Sequence, residues 1–178
     1  MKNIFGLLAL ILAMAACQSS ASSPQSDIEK LEEQLKKEAV LDSAIATDLC
    51  AMYLQYADAN PKDSLAPYYL SNSADILKEL KGNELKAVNT YNRIAEKYAD
   101  HPLAGRAVFM IGYVFDDKFN DKVRAQKSYE YFLSQYPKHE LQRDALNLLA
   151  MVKDSLSAEE LVAKWLEQSK KDTNINSK

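Results

Sequence analysis

The sequence repeats with a step of 38 residues. Leu65, Leu103 and Leu141 lie at this spacing, each shortly after a polar segment with a proline. Apolar, small or aromatic residues recur at the same step elsewhere: Leu70/Val108/Leu146, Ala74/Gly112/Ala150, Leu85/Val123/Leu161, Ala87/Ala125/Ala163 and Tyr91/Tyr129. A fixed step of this length predicts a stack of similar units, each of which buries its apolar face on its neighbours.

Each repeat predicts two helices. In the middle repeat, apolar residues recur at spacings of three and four, first from Ala107 to Phe115 and then from Val123 to Tyr136. Such spacings place each set on one face of a helix. A polar segment separates the sets, where Asn120 or Asp121 can cap the second helix. Pro137 then ends that helix, because proline disfavours helix in the residue before it.

The same pattern predicts an all-α domain over residues 27–169, followed by a disordered tail over 170–178. The first predicted pair of helices, a degenerate hairpin, covers 27–40 and 41–56. Three full hairpins follow: 64–80 with 84–98, 102–116 with 121–136, and 140–153 with 158–169. The last hairpin has Lys153 and Glu167 at positions that are apolar in earlier repeats, as a solvent-facing end of a stack requires.

The middle repeat resembles the tetratricopeptide repeat. The residues that carry the resemblance are Val108, Ile111, Gly112, Phe115, Ala125, Tyr129 and Pro137. Val108 stands where that family usually has tryptophan, and the step exceeds the usual length of about 34 residues. The junction from Tyr136 to His139 is similar to that of envelope tetratricopeptide lipoproteins of the BamD-like and YbgF-like kinds. The resemblance covers roughly residues 61 to 169. It implies an α-solenoid of antiparallel hairpins with a right-handed superhelix.

The first residues predict a secretory signal peptide over 1–16. Lys2 precedes a short apolar segment, and small residues precede Cys17. Ala-Ala before a cysteine resembles a bacterial lipobox, which implies a diacylglyceryl and palmitate anchor on Cys17. Ordinary signal cleavage beside an incidental cysteine is the alternative. We then expect residues 17–26 to comprise the lipidated Cys17 and a serine-rich flexible tether. In lipoprotein sorting, Gln18 after the cysteine resembles the signal that directs a lipoprotein to the outer membrane. This favours a location at the periplasmic face of that membrane.

Composition and motifs favour no catalytic function. The net charge of −3 is too small to predict nucleic-acid binding. The two histidines, His101 and His139, occupy the same place in consecutive repeats, without the further ligands that a metal site needs. The sequence lacks a phosphate loop and a nucleophile motif. We therefore expect no enzyme, no cofactor and no metal, and we expect Cys50 to be a buried, inert thiol.

The resemblance implies that the first helix of each hairpin lines a concave groove. Nine groove-facing residues follow from the 38-residue step: Tyr68, Arg106 and Asp144; Ser71, Phe109 and Asn147; Asp75, Tyr113 and Met151. Aromatic residues and arginine dominate binding hot spots, so this set predicts a site for an extended or helical peptide. Alternatively, Phe109 and Tyr113 cover neighbouring helices.

The sequence thus predicts a membrane-anchored scaffold or adaptor that binds a protein or peptide partner in the bacterial envelope. The resemblance suggests outer-membrane protein assembly or envelope maintenance. The alternatives are a periplasmic lipoprotein that binds a small molecule or assists an enzyme, and a purely structural envelope protein. The first alternative requires a deep pocket, and the second requires no groove partner.

Overall fold

The computed structural model describes residues 23–158, 162–163 and 166. Within these residues all the regular structure is α-helical, which confirms the all-α prediction. The helices are α1 (Pro24–Lys37), α2 (Ser43–Ala59), α3 (Ala66–Leu77), α4 (Glu84–Lys97), α5 (Leu103–Asp117), α6 (Lys122–Gln135) and α7 (Gln142–Ser155). The predicted signal peptide, Cys17, most of the predicted helix 158–169 and the predicted tail lie outside the described residues.

Helix α1 begins earlier than the sequence predicted. Its cap is Ser23, whose hydroxyl oxygen accepts a hydrogen bond from the Ser26 N–H at 3.1 Å. Pro24 starts the helix well because its fixed φ suits the first turn and its missing N–H has no helical partner there. The predicted tether over 17–26 is therefore corrected, because residues 24–26 belong to α1.

Polar side chains at the junctions start the later helices. Asp121 caps α6 by accepting the Arg124 N–H at 2.8 Å, while Asn120 takes a left-handed conformation with φ of 50°. His101 Nδ1 accepts the Leu103 N–H at 3.2 Å, and His139 Nδ1 accepts the Leu141 N–H at 3.1 Å. A histidine thus holds the turn before α5 and again before α7, while Asp63 holds the equivalent turn before α3 by accepting the Leu65 N–H at 2.9 Å.

Each described helix packs on the next one along the chain, and α3 also packs on α5. The main core extends from α2 to α7, and its largest buried side chains include Tyr91, Tyr129 and Phe132. A smaller core joins α1 to α2 through Ile28, whose side chain is buried with two tyrosines of α2. The apolar seam predicted by the repeat is therefore continuous from α3 to α6.

Gly112 allows α5 and α6 to lie close together in this core. A Cβ atom at Gly112 would lie 2.7 Å from Tyr129 Cε1, so α5 approaches α6 more closely than any larger residue permits.

Cys50 is buried, and its thiol donates to the Ser73 carbonyl at 3.6 Å. Burial raises the pKa of this thiol, as expected for an unreactive cysteine.

Helix α7 departs from the earlier repeats. Leu70 and Val108 are buried, but Leu146, one step further, is 50% exposed. Ala150 is exposed as well, whereas Ala74 and Gly112 are buried at the equivalent positions. Helix α7 therefore still buries Ala145, Leu149 and Val152 in the main core, but it exposes two positions that are covered on α3 and α5.

Candidate functional site

The predicted groove residues lie on α3, α5 and α7, but they differ in exposure. The exposed ones are Tyr68, Asp144, Asn147 and Met151. Asp75, Arg106 and Tyr113 are half-buried, while Ser71 and Phe109 are buried. The two buried residues are therefore not on a free surface, and the candidate site is smaller than the nine positions that the sequence suggested.

Phe109 is a core residue, which corrects its placement in the groove. Its ring is 7% exposed and lies 5.8 Å from the Tyr129 ring and 5.6 Å from the Phe132 ring, measured between centroids. Both of those rings belong to α6, so Phe109 faces the hairpin interior. An aromatic side chain gains more from this burial than from contact with water.

Ser71, Asp75, Tyr91 and Arg106 join three helices, and we call this set the closed junction. The Arg106 guanidinium donates to both Asp75 carboxylate oxygens, at 2.9 and 3.1 Å, and to the Ser71 hydroxyl at 2.9 Å. The Tyr91 hydroxyl of α4 donates to the same carboxylate. Both bonds to the carboxylate come from Nη2, and Nη1 donates to the serine, so one guanidinium links α5 to two residues of α3.

The residues one step further along the chain are Phe109, Tyr113, Tyr129 and Asp144, and we call this set the open junction. It replaces serine by phenylalanine, aspartate by tyrosine and arginine by aspartate, while the buried tyrosine is retained. Helices α5 and α7 pack on each other less than α3 and α5 do. The bonds of the closed junction therefore have no counterpart here.

Two polar groups of the open junction have no protein partner within the described residues. Tyr129 is 0% exposed, and its hydroxyl makes no hydrogen bond. Asp144 is exposed and makes no hydrogen bond or ion pair with a described residue. Burial raises the pKa of Tyr129, with a smaller contribution from the nearby charge of Asp116. A buried donor without an acceptor is unfavourable, so the Tyr129 hydroxyl is a polar group that the packing around it leaves unsatisfied.

A cleft lies between α1, α2 and α3. This open cleft has a volume of about 370 Å³. Its apolar wall is formed by Leu35, Leu49 and Ile76, while Glu32 and Asp75 lie at its polar side. Sequence reasoning missed the cleft, because it depends on how α1 packs beside α3 and not on the repeat pattern.

The described part of the chain contains no group of three or more histidine, cysteine, aspartate or glutamate residues arranged to hold a metal ion. None of its helices is both long enough and apolar enough to cross a bilayer. No family model, no curated protein and no solved structure matches the chain. A functional assignment therefore depends on the repeat pattern and on the two junctions.

Proposed function

We propose that the chain is a tetratricopeptide-like adaptor that binds a protein or peptide partner on the surface of α3, α5 and α7. In this proposal the hairpins form a right-handed α-solenoid, and its first helices line the concave side. The observation that carries the proposal is the exposure of Tyr68 and Met151, at 48% and 67%, at predicted groove positions of α3 and α7. Exposed aromatic and thioether side chains are typical of peptide-binding surfaces.

Site-specific crosslinking in the native envelope tests this proposal. A photoreactive residue at Asn147 or Met151 should give a defined adduct with a partner, which mass spectrometry then identifies. Tyr131 is the matched control, because it is exposed on α6 and lies outside the predicted groove. Equal adducts from all three positions, or none from 147 and 151, would contradict a partner on this surface.

The proposal also places the adaptor on a membrane through a lipid on Cys17, at the periplasmic face of the outer membrane. Its support is the apolar signal-like segment and the Ala-Ala-Cys sequence that ends at residue 17. Acyl chains contribute about 0.8 kcal/mol per buried methylene, so removing them should detach the protein. We expect Cys17→Ser to move the protein from the membrane fraction to the soluble fraction. Unchanged fractionation would contradict the anchor.

The cleft between α1 and α3 favours a second candidate, a lipoprotein that binds a small molecule or assists an enzyme. Its volume suits a small ligand, and its wall is mainly apolar with few polar groups, as in many ligand sites. Native mass spectrometry of protein purified from its own envelope should then show a bound small molecule. Replacing Ile76 with tryptophan should remove it by filling the cleft. An unoccupied protein with partner adducts at 147 and 151 would favour the adaptor instead.

A further inference from the structure

We propose that the cleft between α1 and α3 binds a small aliphatic amine, whose ammonium group contacts Glu32 and whose apolar stem lies on Leu35, Leu49 and Ile76. This inference rests on the second candidate function, because it assigns the ligand of the same cleft. It commits to a free amine. A lysine side chain of another protein carries the same head group and is tested as the alternative source.

Three polar side chains from three different helices line this cleft together: Glu32 of α1, Tyr53 of α2 and Asn72 of α3. Tyr53 is buried, and its hydroxyl donates to Glu32 Oε1 at 2.6 Å. Burial and the bond to Glu32 raise the pKa of Tyr53, while an interaction with the Asn72 side chain lowers it. Both groups therefore lie next to the same hydroxyl, and the three side chains form one polar cluster beside the apolar wall.

The shape and chemistry of the cleft suit an alkylammonium ion. Its volume of about 370 Å³ is within the range of small-molecule sites, and its wall of leucine and isoleucine side chains can cover an alkyl stem. An ammonium group has three N–H donors and no acceptor. The carboxylate of Glu32, the amide oxygen of Asn72 and the hydroxyl oxygen of Tyr53 are acceptors for these donors.

The closed junction shows which group the polar cluster lacks. Tyr53 lies one step before Tyr91, and each of these buried tyrosines donates to a carboxylate of the preceding helix. At Tyr91 the carboxylate belongs to Asp75, and Arg106 supplies a cation to it. The Glu32 carboxylate makes no ion pair with a described residue, and the cleft lies beside it. A cation from outside the chain can therefore complete the arrangement.

The charges around the cleft favour a cation. Burial raises the pKa of Tyr69, and the negative charges of Glu32, Glu29 and Asp63 raise it further. The Tyr69 ring stacks on the Tyr53 ring, with 5.1 Å between the centroids. Several carboxylates thus act on the aromatic pair beside the cleft, and a positively charged ligand is attracted to this place.

Lys36 is the positively charged side chain that lines the cleft. It is exposed and makes no ion pair with a described residue, although it lies one helical turn from Glu32. An exposed lysine keeps its head group in water while its stem covers apolar surface. Its charge should weaken the binding of an amine and strengthen that of an anion, so this residue tests the sign of the ligand's charge.

An NMR titration of the purified full-length chain with hexylamine, 1-hexanol and hexanoate tests the inference. The three probes have the same chain length, but the first is positively charged, the second neutral and the third negatively charged. The methyl signals of Leu35, Leu49 and Ile76 report binding in the cleft. We expect hexylamine to bind at least about tenfold more tightly than hexanol, the size of one charge-assisted contact, and hexanoate to bind most weakly.

Three variants sharpen the test. Glu32→Gln should abolish the preference for hexylamine over hexanol, while its amide oxygen can still accept from the Tyr53 hydroxyl. Glu33→Gln is the matched control, because it removes the same charge from an exposed neighbour that does not line the cleft, and it should keep the preference. Lys36→Gln should strengthen the binding of hexylamine. Thermal melting should confirm that the variants keep the fold.

Four outcomes would overturn the inference: no binding of any probe, equal binding of hexylamine and hexanol, tighter binding of hexanoate, and a preference that survives Glu32→Gln. N-acetyl-lysine amide presents the same ammonium group on a peptide unit. Tighter binding of this compound than of hexylamine would overturn the free amine in favour of a lysine side chain. Native mass spectrometry judges the candidate function separately, since a neutral molecule retained from the envelope would keep the small-molecule cleft and reject the amine.

Discussion

The closed and open junctions show which part of the repeat is constrained and which part varies. Both keep a fully buried tyrosine on the second helix, Tyr91 in one and Tyr129 in the other. The first-helix residues at the positions one step apart differ in charge, size and hydrogen bonding. The buried tyrosine is therefore retained in both sets, while the first-helix positions form bonds between helices only in the closed junction.

Alkaline pH should have the largest effect, because it acts on both junctions at once. Burial raises the pKa of Tyr91 and Tyr129 above the ordinary value of 10.0, and the charge of Asp75 raises that of Tyr91 further. An unfolded chain ionises these groups more readily than the folded one. Their contribution to stability is therefore complete below pH 10 and is lost as the pH rises above it.

Chemical denaturation followed by circular dichroism, repeated at several pH values, measures this loss. The free energy of unfolding should be level at neutral pH and should fall steeply at alkaline pH. Tyr91→Phe should make the alkaline decline shallower, since it removes one of the groups responsible. The same slope in wild type and variant would contradict the role of Tyr91 in this dependence.

The next largest effect should come from overpacking the contact between α5 and α6. Gly112→Leu places a side chain against the fully buried Tyr129 ring, where even a Cβ would lie 2.7 Å from Cε1. Overpacking of this kind costs about 1–3 kcal/mol, which urea denaturation should detect. The matched control is Ala150→Leu, at the equivalent but exposed position of α7, which should change stability little. Equal losses from the two variants would contradict the difference in packing between α5 and α7.

How much of the fold the sequence predicts depends on how far apart along the chain the interacting residues lie. Spacings of three and four and the 38-residue step give α3 to α7 within a few residues, because they record which face each helix buries. The hydrogen bonds that the two histidines accept in the turns before α5 and α7 were not predicted, although the recurrence of histidine at one step was visible. The start of α1 was missed because Ser26 and Glu29 also form a capping pattern, and Ser23 with Pro24 competes with it.

The site was predicted less well than the fold. Tyr68 and Met151 are exposed, but Phe109 is buried because its ring packs on two aromatic rings of α6. The bonds among Asp75, Tyr91 and Arg106 depend on the relative positions of three helices, which residue spacing does not specify. The signal available in the sequence was the change from arginine to aspartate across one step, which marks where the two junctions differ.

Removing the hydroxyl group of Tyr91 and that of Tyr129 should change the stability of the fold by different amounts. Tyr91→Phe deletes a hydrogen bond to the Asp75 carboxylate and should destabilise the fold by about 1–2 kcal/mol. Tyr129→Phe deletes a buried hydroxyl that has no partner and should be neutral or slightly stabilising. Thermal or urea denaturation of the two variants measures this contrast at neutral pH. A comparable loss in Tyr129→Phe would mean that its hydroxyl is satisfied in solution.

The smallest effect should come from converting the open junction into a closed one. Tyr113→Asp with Asp144→Arg recreates the carboxylate and guanidinium that Asp75 and Arg106 provide one step earlier. The native pair is about one-third exposed, so we expect a coupling energy of only about 0.5–1 kcal/mol in a double-mutant cycle of unfolding free energies. The same cycle on Asp75→Asn and Arg106→Gln gives the reference value. A coupling near zero would show that α5 and α7 lie too far apart for this bridge, and the difference between the junctions would then be one of helix spacing as well as of side chains.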